Sequence, residues 1–373
     1  MGQSASPAAH SRFVYIGTYT EPLDFVDGQG QGIYSYILDG ASGELRPANP
    51  VTTGLTNPSY LTLDPQLRCL YAVQETDNQN LNPPAVYAFA IDSKTGALRL
   101  LNYQSSYGEA PCHVATDHAG RWLFVANYGT GTVAIYPILE DGRLGPATDI
   151  VHHEGYSVNP DRQTGPHAHQ VLVDPTNQYV FVTDLGIDKV LVYRLDSTHG
   201  RLIPHDPPFV ALHAGAGPRH LAFHPNGRHV FILNELDATL VTVTYAEGRF
   251  AIIQTLSTLP PDAASPPSGA AIRVTPSGRF VYTSNRGHDS IALFAVEESS
   301  GRLTSLGHQP SGGQIPREIA IDPSGTFLLA ANQDSHTVVT FRIDSKTGQL
   351  HPTGLRVSIP SPVCIAFGRQ YPT

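Results

Sequence analysis

The sequence of 373 residues predicts an all-β fold, a seven-bladed β-propeller with four antiparallel strands in each blade. One template, an apolar run followed by a turn and a second apolar run, occurs six times, with turn positions at residues 65, 118, 175, 225, 276 and 323. A period of about 50 residues with strand-like patterning is typical of propeller blades. The 34 Gly and 31 Pro residues suit a fold of many short strands and turns.

Each copy of the template supplies the first two strands of a blade. In the copy GPRHLAFHPNGRHVFILNEL, the alternation of Leu221 and Phe223 predicts the first strand, and the run from Val230 to Leu233 predicts the second. Runs such as TLVTVTY and TVVTFRID predict a third strand, and a recurrent turn, as in DSKTGAL and DSTHGRL, leads to the fourth. The other five copies are NPSYLTLDPQLRCLYAVQET, APCHVATDHAGRWLFVANYG, HAHQVLVDPTNQYVFVTDLG, SGAAIRVTPSGRFVYTSNRG and IPREIAIDPSGTFLLAANQD.

The seventh blade is divided between the two ends of the chain. SPVCIAFG, residues 361–368, matches the first strand of the template, and RFVYIGTYT, residues 12–20, matches the second. Pairing these segments closes the ring and leaves no open sheet edge. We therefore expect one propeller domain over residues 12–373, preceded by a disordered tail at residues 1–11.

Composition and charge disfavour several classes of partner. The net charge is −9 and there is no run of Lys or Arg, so nucleic acid is not expected to bind. No stretch of 18 apolar residues predicts a membrane span, and the first residues lack the pattern of a signal peptide. The widely spaced Cys69, Cys112 and Cys364 suit neither a disulfide framework nor a CxxC metal site, which indicates a reducing, cytoplasmic compartment. The sequence does not predict an oligomeric state.

Comparison of the repeats separates structural positions from candidate functional ones. The position nine residues after the turn position is nearly uniform and is predicted to bind backbone at the strand end: Gln74, Asn127, Asp184, Asn234, Asn285 and Asn332. The next position varies between blades: Glu75, Tyr128, Leu185, Glu235, Arg286 and Gln333. The position six residues before the turn also varies: Ser59, Cys112, His169, Arg219, Ala270 and Arg317. We call these two variable sets the second-strand and first-strand positions, and antiparallel pairing places both at one mouth of the channel.

Five of these side chains form a candidate acid/base site with an anion clamp. Arginine donates to carboxylate, phosphate or a developing oxyanion, and His or Glu can transfer protons near neutral pH. The alternative is a set of salt bridges that holds the blades together. The five residues are His169, Arg219, Glu235, Arg286 and Arg317.

The insertion HHEGYSVNPDRQTGPHAH, residues 152–169, predicts a loop over a pocket at the same mouth. Within it, Arg162, Gln163 and His167 are candidates for substrate binding, together with Arg317. His167 and His169 could share one face as metal ligands, but no Cys or carboxylate has matching spacing, so we expect neither a metal nor another cofactor.

Two further histidines follow first-strand positions by one residue. Strict alternation directs His113 and His220 to the other face of the blade, where they are predicted to pack in the core.

The segments YIGTYT, NPDRQTGPHAHQV, GPRHLAFHPNGRHVFILNEL and TSNRG resemble the lactonase family of seven-bladed β-propellers. That family includes propeller-type 6-phosphogluconolactonases and a 3-carboxy-cis,cis-muconate lactonizing enzyme. The resemblance implies a site built from a histidine, two arginines and a glutamate. Matching motifs place these on His169, Arg219, Glu235 and Arg286, with His167 as the competing histidine.

The resemblance implies a cytoplasmic hydrolase of a small anionic sugar lactone, with 6-phosphogluconolactone as the first choice. Glu235 or His169 would take a proton from the attacking water, and Arg219 or Arg286 would stabilise the oxyanion. We expect Glu235→Gln to abolish turnover and to leave the fold intact. The alternatives are a cycloisomerase that forms a lactone from a carboxylated muconate, and a propeller that binds a ligand or protein without catalysis.

Overall fold

The computed structural model describes residues 10–264, 266 and 268–372. Their strands form seven four-stranded antiparallel sheets, which confirms the predicted propeller and its four strands per blade. Except for residues 10 and 11, the predicted disordered tail lies outside the described residues. No helix within the described residues has the length and hydropathy needed to cross a bilayer.

The strands follow one another in chain order from the channel outward in six of the blades. Blade 1 contains β1 Arg12–Thr18, β2 Ile33–Leu38, β3 Leu45–Thr52 and, from the other end of the chain, β28 Pro362–Gln370. Blade 2 contains β4 Leu61–Leu63, β5 Cys69–Gln74, β6 Ala85–Ile91 and β7 Leu98–Ser105. Blade 3 contains β8 Pro111–Thr116, β9 Trp122–Asn127, β10 Thr132–Pro137 and β11 Asp149–His152. Blade 4 contains β12 Ala168–Val173, β13 Tyr179–Asp184, β14 Lys189–Asp196 and β15 Arg201–Ala211, with a short 3-10 turn at Leu185–Ile187.

The last three blades repeat the pattern. Blade 5 contains β16 Pro218–Phe223, β17 His229–Asn234, β18 Thr239–Ala246 and β19 Arg249–Ser257. Blade 6 contains β20 Gly269–Val274, β21 Phe280–Asn285, β22 Ser290–Val296 and β23 Leu303–Pro310. Blade 7 contains β24 Pro316–Ile321, β25 Phe327–Asn332, β26 Thr337–Ile343 and β27 Leu350–Ser358.

The two ends of the chain meet in blade 1, as the divided repeat predicts. Strand β28 pairs with β1 in antiparallel register, with Tyr15 opposite Ala366 and Ile16 opposite Ile365. The ring is therefore closed by hydrogen bonds between the first and last strands rather than by a covalent connection.

Apolar side chains lie mainly between adjacent blades. Seven clusters of buried residues each span one pair of neighbouring blades; Tyr15 and Leu70, for example, belong to the cluster between blades 1 and 2. Each fully buried aromatic or aliphatic side chain stabilises the fold by roughly 1.5–3 kcal/mol. Because packing between blades supplies the core, the channel mouth can hold polar groups.

A β-bulge occurs near the channel mouth in the first strand of most blades. In blade 5 Pro218 pairs with Asn234 and His220 pairs with Leu233, so that Arg219 is an extra residue without a partner in β17. A bulge bends the strand and redirects the side chains around it. The same irregularity contains Cys112, His169, Ala270 and Arg317, the first-strand positions of blades 3, 4, 6 and 7.

One backbone hydrogen bond fixes the second-strand position in every blade. In blade 5 the Glu235 N–H donates to the Gly217 carbonyl oxygen at 2.7 Å. The equivalent donors in the other blades are Tyr19, Glu75, Tyr128, Leu185, Arg286 and Gln333. The first-strand and second-strand positions therefore meet at one mouth of the channel, as predicted.

The nearly uniform position before them has the predicted structural role. The side-chain amide of Asn285 donates to the Thr258 carbonyl oxygen at 2.7 Å, and that of Asn127 donates to the Ser106 carbonyl oxygen at 2.9 Å. Both asparagines are fully buried. They connect the end of the second strand to the segment that follows the fourth strand of the preceding blade.

Candidate active site

A cavity of about 580 Å³ opens at this mouth of the channel. Most of its charged and aromatic lining comes from first-strand and second-strand positions. The lining residues are Phe25, Glu75, Cys112, Tyr128, Arg162, His169, Glu235, Pro266, Ser268, Arg286, Gly287, Ile315, Arg317, Gln333 and Asp334.

Glu235 is the centre of an ion-pair cluster on one side of this cavity. Its Oε1 accepts a hydrogen bond from Arg162 Nη2 at 2.7 Å. Its Oε2 accepts from Arg219 Nε at 3.1 Å and lies 2.8 Å from Arg286 Nη2. A charge-assisted hydrogen bond is about twice as strong as a neutral one, so this carboxylate holds three guanidinium groups in fixed positions.

The cluster changes the acidity of its members. Burial alone would raise the pKa of Glu235, but Arg286, Arg219 and Arg162 together hold it well below its usual value. Burial lowers the pKa of Arg219 to about 10, and the charges of Arg286 and Arg317 act in the same direction. At neutral pH Glu235 is therefore ionised and is a weak proton acceptor.

Two backbone carbonyl groups also hold the buried arginines. Arg219 Nη1 donates to the Ala270 carbonyl oxygen, and Arg286 Nη2 donates to the Gly269 carbonyl oxygen at 3.1 Å. Both acceptors lie at the start of β20, so backbone of blade 6 supports Arg219 of blade 5 as well as Arg286 of blade 6 itself. Arg286 lines the cavity, whereas Arg219 lines a small adjoining pocket that shares Glu75 and His169 with it.

His169 lies beside the cluster and is 5% exposed. Burial and the charge of Arg219 lower the pKa of His169 well below its ordinary value, so the ring is neutral at neutral pH. Its Nδ1 is shielded from solvent and has no hydrogen-bond partner in the described part of the chain. The ring of Tyr128 contacts it edge-on at 5.7 Å between centroids.

His113 and His220 are buried, as predicted, but they face the channel rather than the other side of the blade. The centroid of His220 lies 5.2 Å from that of His169 and 5.7 Å from that of His113, which in turn packs on Tyr60 at 4.1 Å. These four rings come from blades 5, 4, 3 and 2. The prediction of their direction was wrong because the bulge breaks the alternation on which it depended.

The insertion loop, residues 153–167 between β11 and β12, brings Arg162 to the cavity. Arg162 Nη2 donates to the Tyr128 hydroxyl at 3.0 Å as well as to Glu235. A Cβ at Gly186 would collide with the carbonyl oxygen of Gly165 in this loop, so the close approach of the loop to blade 4 requires glycine at position 186. The loop is therefore packed against the propeller, with one arginine directed inward.

The other two candidates from the insertion loop do not line the cavity. Gln163 is fully buried, and its amide donates to the Leu185 carbonyl oxygen at 2.8 Å and to Asp188 at 2.7 Å. Its side chain therefore holds the loop in place and does not line the cavity. His167 stacks on Tyr128 at 4.4 Å and its Nδ1 lies 2.8 Å from the Tyr128 carbonyl oxygen, away from the cavity lining. Of the two histidines in HAH, His169 is the one at the cavity.

A second polar cluster faces the first across the channel. Arg317 Nη2 donates to the Tyr19 hydroxyl at 2.8 Å, and this hydroxyl donates to both carboxylate oxygens of Glu75 at 3.1 Å. The Ser59 hydroxyl also donates to Glu75. Burial raises the pKa of Glu75, and Arg317 with the two hydroxyl groups offsets this only in part.

Sequence comparison did not assign Tyr19, Glu75, Tyr128 or Phe25 to the site. Glu75 and Tyr128 occupy a variable position but lie in blades 2 and 3, whereas the predicted site residues are concentrated in blades 4 to 7. Tyr19 holds the same position in blade 1, and extending the comparison to the divided repeat would have found it. Phe25 comes from a connection outside the template, and no repeat signal marks it.

The family model described as lactonase, 7-bladed beta-propeller, matches residues 13–367. The chain belongs to the lactonase family of seven-bladed β-propellers. The 6-phosphogluconolactonase of Bacillus subtilis is 37% identical over 358 residues, which are 95% of this chain and 98% of that protein. The 6-phosphogluconolactonase of Formosa agariphila is 32% identical over 311 residues, which are 83% of this chain and 86% of that protein. The structure of the periplasmic gluconolactonase of Pseudomonas aeruginosa superimposes with a TM-score of 0.90 at 33% identity, covering 96% of this chain and 99% of that one.

Proposed function

We propose that this lactonase-family protein hydrolyses a sugar lactone, with 6-phosphogluconolactone as the first choice of substrate. The observation that supports it most is that one cavity contains both a buried, neutral His169 and two arginines, Arg162 and Arg286, held by Glu235. A lactone carbonyl needs a proton acceptor for the attacking water and donors for the oxyanion that forms. The names of the two curated relatives support the choice of substrate.

His169 is our choice for the proton acceptor. Of the two candidates, Glu235 has both carboxylate oxygens paired with guanidinium groups, so neither oxygen is free to take a proton from water. His169 is neutral at neutral pH and lines the cavity. The proposed role of Glu235 is to hold the arginines in position and to balance their charge.

The arginines divide into two proposed roles. Arg219 and Arg286 are fixed by Glu235 and by backbone carbonyls, the preorganised arrangement that stabilises an oxyanion without reorganisation. Arg317 and Arg162 are our candidates for the substrate's anionic group. Within the described residues Arg317 forms no ion pair with a carboxylate and is held by Tyr19, and the Arg162 side chain is 42% exposed.

We propose that this chemistry uses no metal or organic cofactor, and that the protein acts in the cytoplasm. All three cysteines are buried thiols without a disulfide partner, the state expected in a reducing compartment. The structural relative from P. aeruginosa is described as periplasmic, so cell fractionation is the direct test of location.

The decisive experiment is a panel of lactones at near-neutral pH, corrected for spontaneous hydrolysis, that includes phosphorylated and unphosphorylated gluconolactone. We expect turnover of a sugar lactone, and Arg219→Ala should lower kcat roughly 100-fold or more. Arg143→Ala is the matched control, because Arg143 pairs with Asp141 at 2.7 Å on the surface and lies outside the cavity. Turnover of a carboxylated muconate alone would favour the cycloisomerase, and saturable binding without any turnover would favour a binding protein.

A further inference from the structure

Two glutamates at the same template position have opposite surroundings. Glu75 follows β5 in blade 2 and Glu235 follows β17 in blade 5, and both line the cavity. Blades 3 and 4 separate them on one side of the ring and blades 6, 7 and 1 on the other, so they face each other across the channel. Glu235 is paired with three arginines, whereas Glu75 is bound by two hydroxyl groups.

We propose that Glu75 donates the proton to the ring oxygen that leaves when the lactone opens, an inference that rests on the lactonase activity proposed above. Glu75 is thereby a further catalytic residue, across the channel from Glu235.

The steps balance with the groups at the cavity. The water oxygen bonds to the carbonyl carbon while His169 takes the water proton, and the oxyanion lies against the arginines. The bond between the carbonyl carbon and the ring oxygen then breaks, and Glu75 gives its proton to that oxygen, which becomes a hydroxyl. His169 afterwards loses a proton and Glu75 gains one through solvent, and the new carboxylic acid releases one proton per lactone.

The geometry of Glu75 suits a donor. Its Oε2 is bound by the Ser59 hydroxyl, whereas Oε1 has only the Tyr19 hydroxyl as a partner within the described residues. A carboxyl oxygen can carry a proton and still accept a hydrogen bond, so Oε1 is able to serve both Tyr19 and a substrate oxygen. Tyr19 is itself held by Arg317, which fixes the direction of the carboxyl group.

The surroundings also favour the protonated form. Burial raises the pKa of Glu75; Arg317, the hydrogen bonds from Ser59 and Tyr19, and the more distant Arg219 act in the opposite direction without reversing it. The thiol of Cys112 also faces this group, and burial raises the pKa of that thiol, which keeps it neutral. The pKa of Glu75 is raised, whereas that of Glu235 is lowered. Such a pair, in which one carboxyl group stays protonated and the other stays charged, is typical of sites where the protonated group acts as the acid.

Glu75→Gln tests the role, because an amide keeps the shape but gives up no proton. We expect kcat on the sugar lactone to fall roughly 100-fold or more, and the fall of wild-type kcat toward alkaline pH, where Glu75 ionises, to disappear in the variant. Glu318→Gln is the matched control: Glu318 is a buried carboxyl whose pKa burial raises, but it pairs with Arg273 and does not line the main cavity. It should leave kcat unchanged within the error of the assay. A Glu75→Gln enzyme with the kcat and pH profile of wild type would overturn the proposal.

A second measurement separates this inference from the lactonase proposal. Difference infrared spectra at neutral pH should show a protonated carboxyl band in wild type. Glu75→Gln should remove this band, whereas Glu318→Gln should leave it in place. Absence of such a band refutes Glu75 as the acid even if the protein is an active lactonase. If wild type hydrolyses no lactone of the panel, the function itself fails, whatever the spectra show.

Discussion

Glu235→Gln is the substitution for which the structure changes the expectation most. The sequence alone predicts loss of turnover with an intact fold. In the structure the Glu235 carboxylate is 6% exposed and is the shared partner of three guanidinium groups. A glutamine in its place has no charge. Its NH₂ group replaces one of the two carboxylate oxygens, and this group cannot accept a hydrogen bond from an arginine. The variant therefore leaves buried positive charge without compensation.

The size of the loss follows from the burial of each partner. The side chains of Arg219 and Arg286 are 4% and 14% exposed, and removing one member of a buried ion pair costs roughly 3–5 kcal/mol. The Arg162 side chain is 42% exposed, so water replaces its lost partner and adds at most about 1 kcal/mol. We expect Glu235→Gln to lower the free energy of unfolding by about 3–5 kcal/mol.

The assay is urea denaturation at pH 7.5, followed by far-UV circular dichroism, for wild type and variant. Asp141→Asn is the matched control, because Asp141 lies 2.7 Å from Arg143 in a pair that is about half exposed, and its loss should cost less than about 1 kcal/mol. Adding Arg219→Met to Glu235→Gln should recover stability, with a coupling of at least about 1 kcal/mol. A Glu235→Gln variant no less stable than Asp141→Asn would refute the reasoning, and its activity has meaning only where it is folded.

Three other outcomes follow from the structure. Gly186→Ala should raise KM more than it lowers kcat in steady-state assays, because a Cβ there displaces the insertion loop; unchanged kinetics would contradict the packing. Asn285→Ala should lower the free energy of unfolding by about 1–3 kcal/mol in urea melts, since it removes the buried hydrogen bonds of Asn285 with Thr258, and a loss below about 0.5 kcal/mol would contradict that role. The pKa values of the three channel histidines are lowered well below 6.5, mainly by burial, so the unfolded chain binds protons below pH 6.5 that the folded chain does not, and stability falls as the pH falls. Going from pH 7.5 to 5.5, each histidine can remove at most about 1.4 kcal/mol of stability, so the loss should be smaller in His113→Phe than in wild type. Parallel urea melts at both pH values, with His169 and His220 left in place, check this.

Most of the fold is predictable because the blade is a local unit repeated many times. The turn between the first two strands shows why: Asp174 accepts hydrogen bonds at 2.8 Å from the backbone N–H groups of Gln178 and Tyr179, and similar turns recur in the other copies. Such a turn depends on a few adjacent residues, so the sequence displays it directly. The sequence also predicts that β28 and β1 close the ring, because each end of the chain carries only half of the template and the two halves together make one blade.

The direction of side chains near the channel mouth is less predictable, because it depends on pairing between strands. Alternation within β16 alone places Arg219 and His220 on opposite faces. The bulge at Arg219 changes that, and it is visible only in the register of β16 against β17. Comparison of the repeats therefore identified the positions at the mouth of the channel, but it did not predict that His113 and His220 also face the channel.

The insertion loop marks another limit, since it has no copy elsewhere in the chain. Comparison between blades cannot tell a residue that holds the loop from one that points into the cavity. Arg162 and Gln163 are neighbours in sequence, yet Arg162 reaches Glu235 and Gln163 is buried against Asp188. The direction of each depends on contacts with blades 4 and 5 that the loop sequence does not encode by itself.

The two glutamates of the cavity show why a repeat can locate a site without assigning its chemistry. Glu75 and Glu235 have the same backbone hydrogen bond and the same place at the mouth, so the template treats them as equivalent. Their acidities diverge because of what neighbouring blades and loops supply: Tyr19 and Ser59 beside one, and the arginines of blades 5 and 6 and of the insertion loop beside the other. Since a pKa is set by burial and by nearby charge, the role of each carboxyl group is a property of the assembled ring. A substitution in a neighbouring blade should therefore change the chemistry of the site without touching the template residue itself.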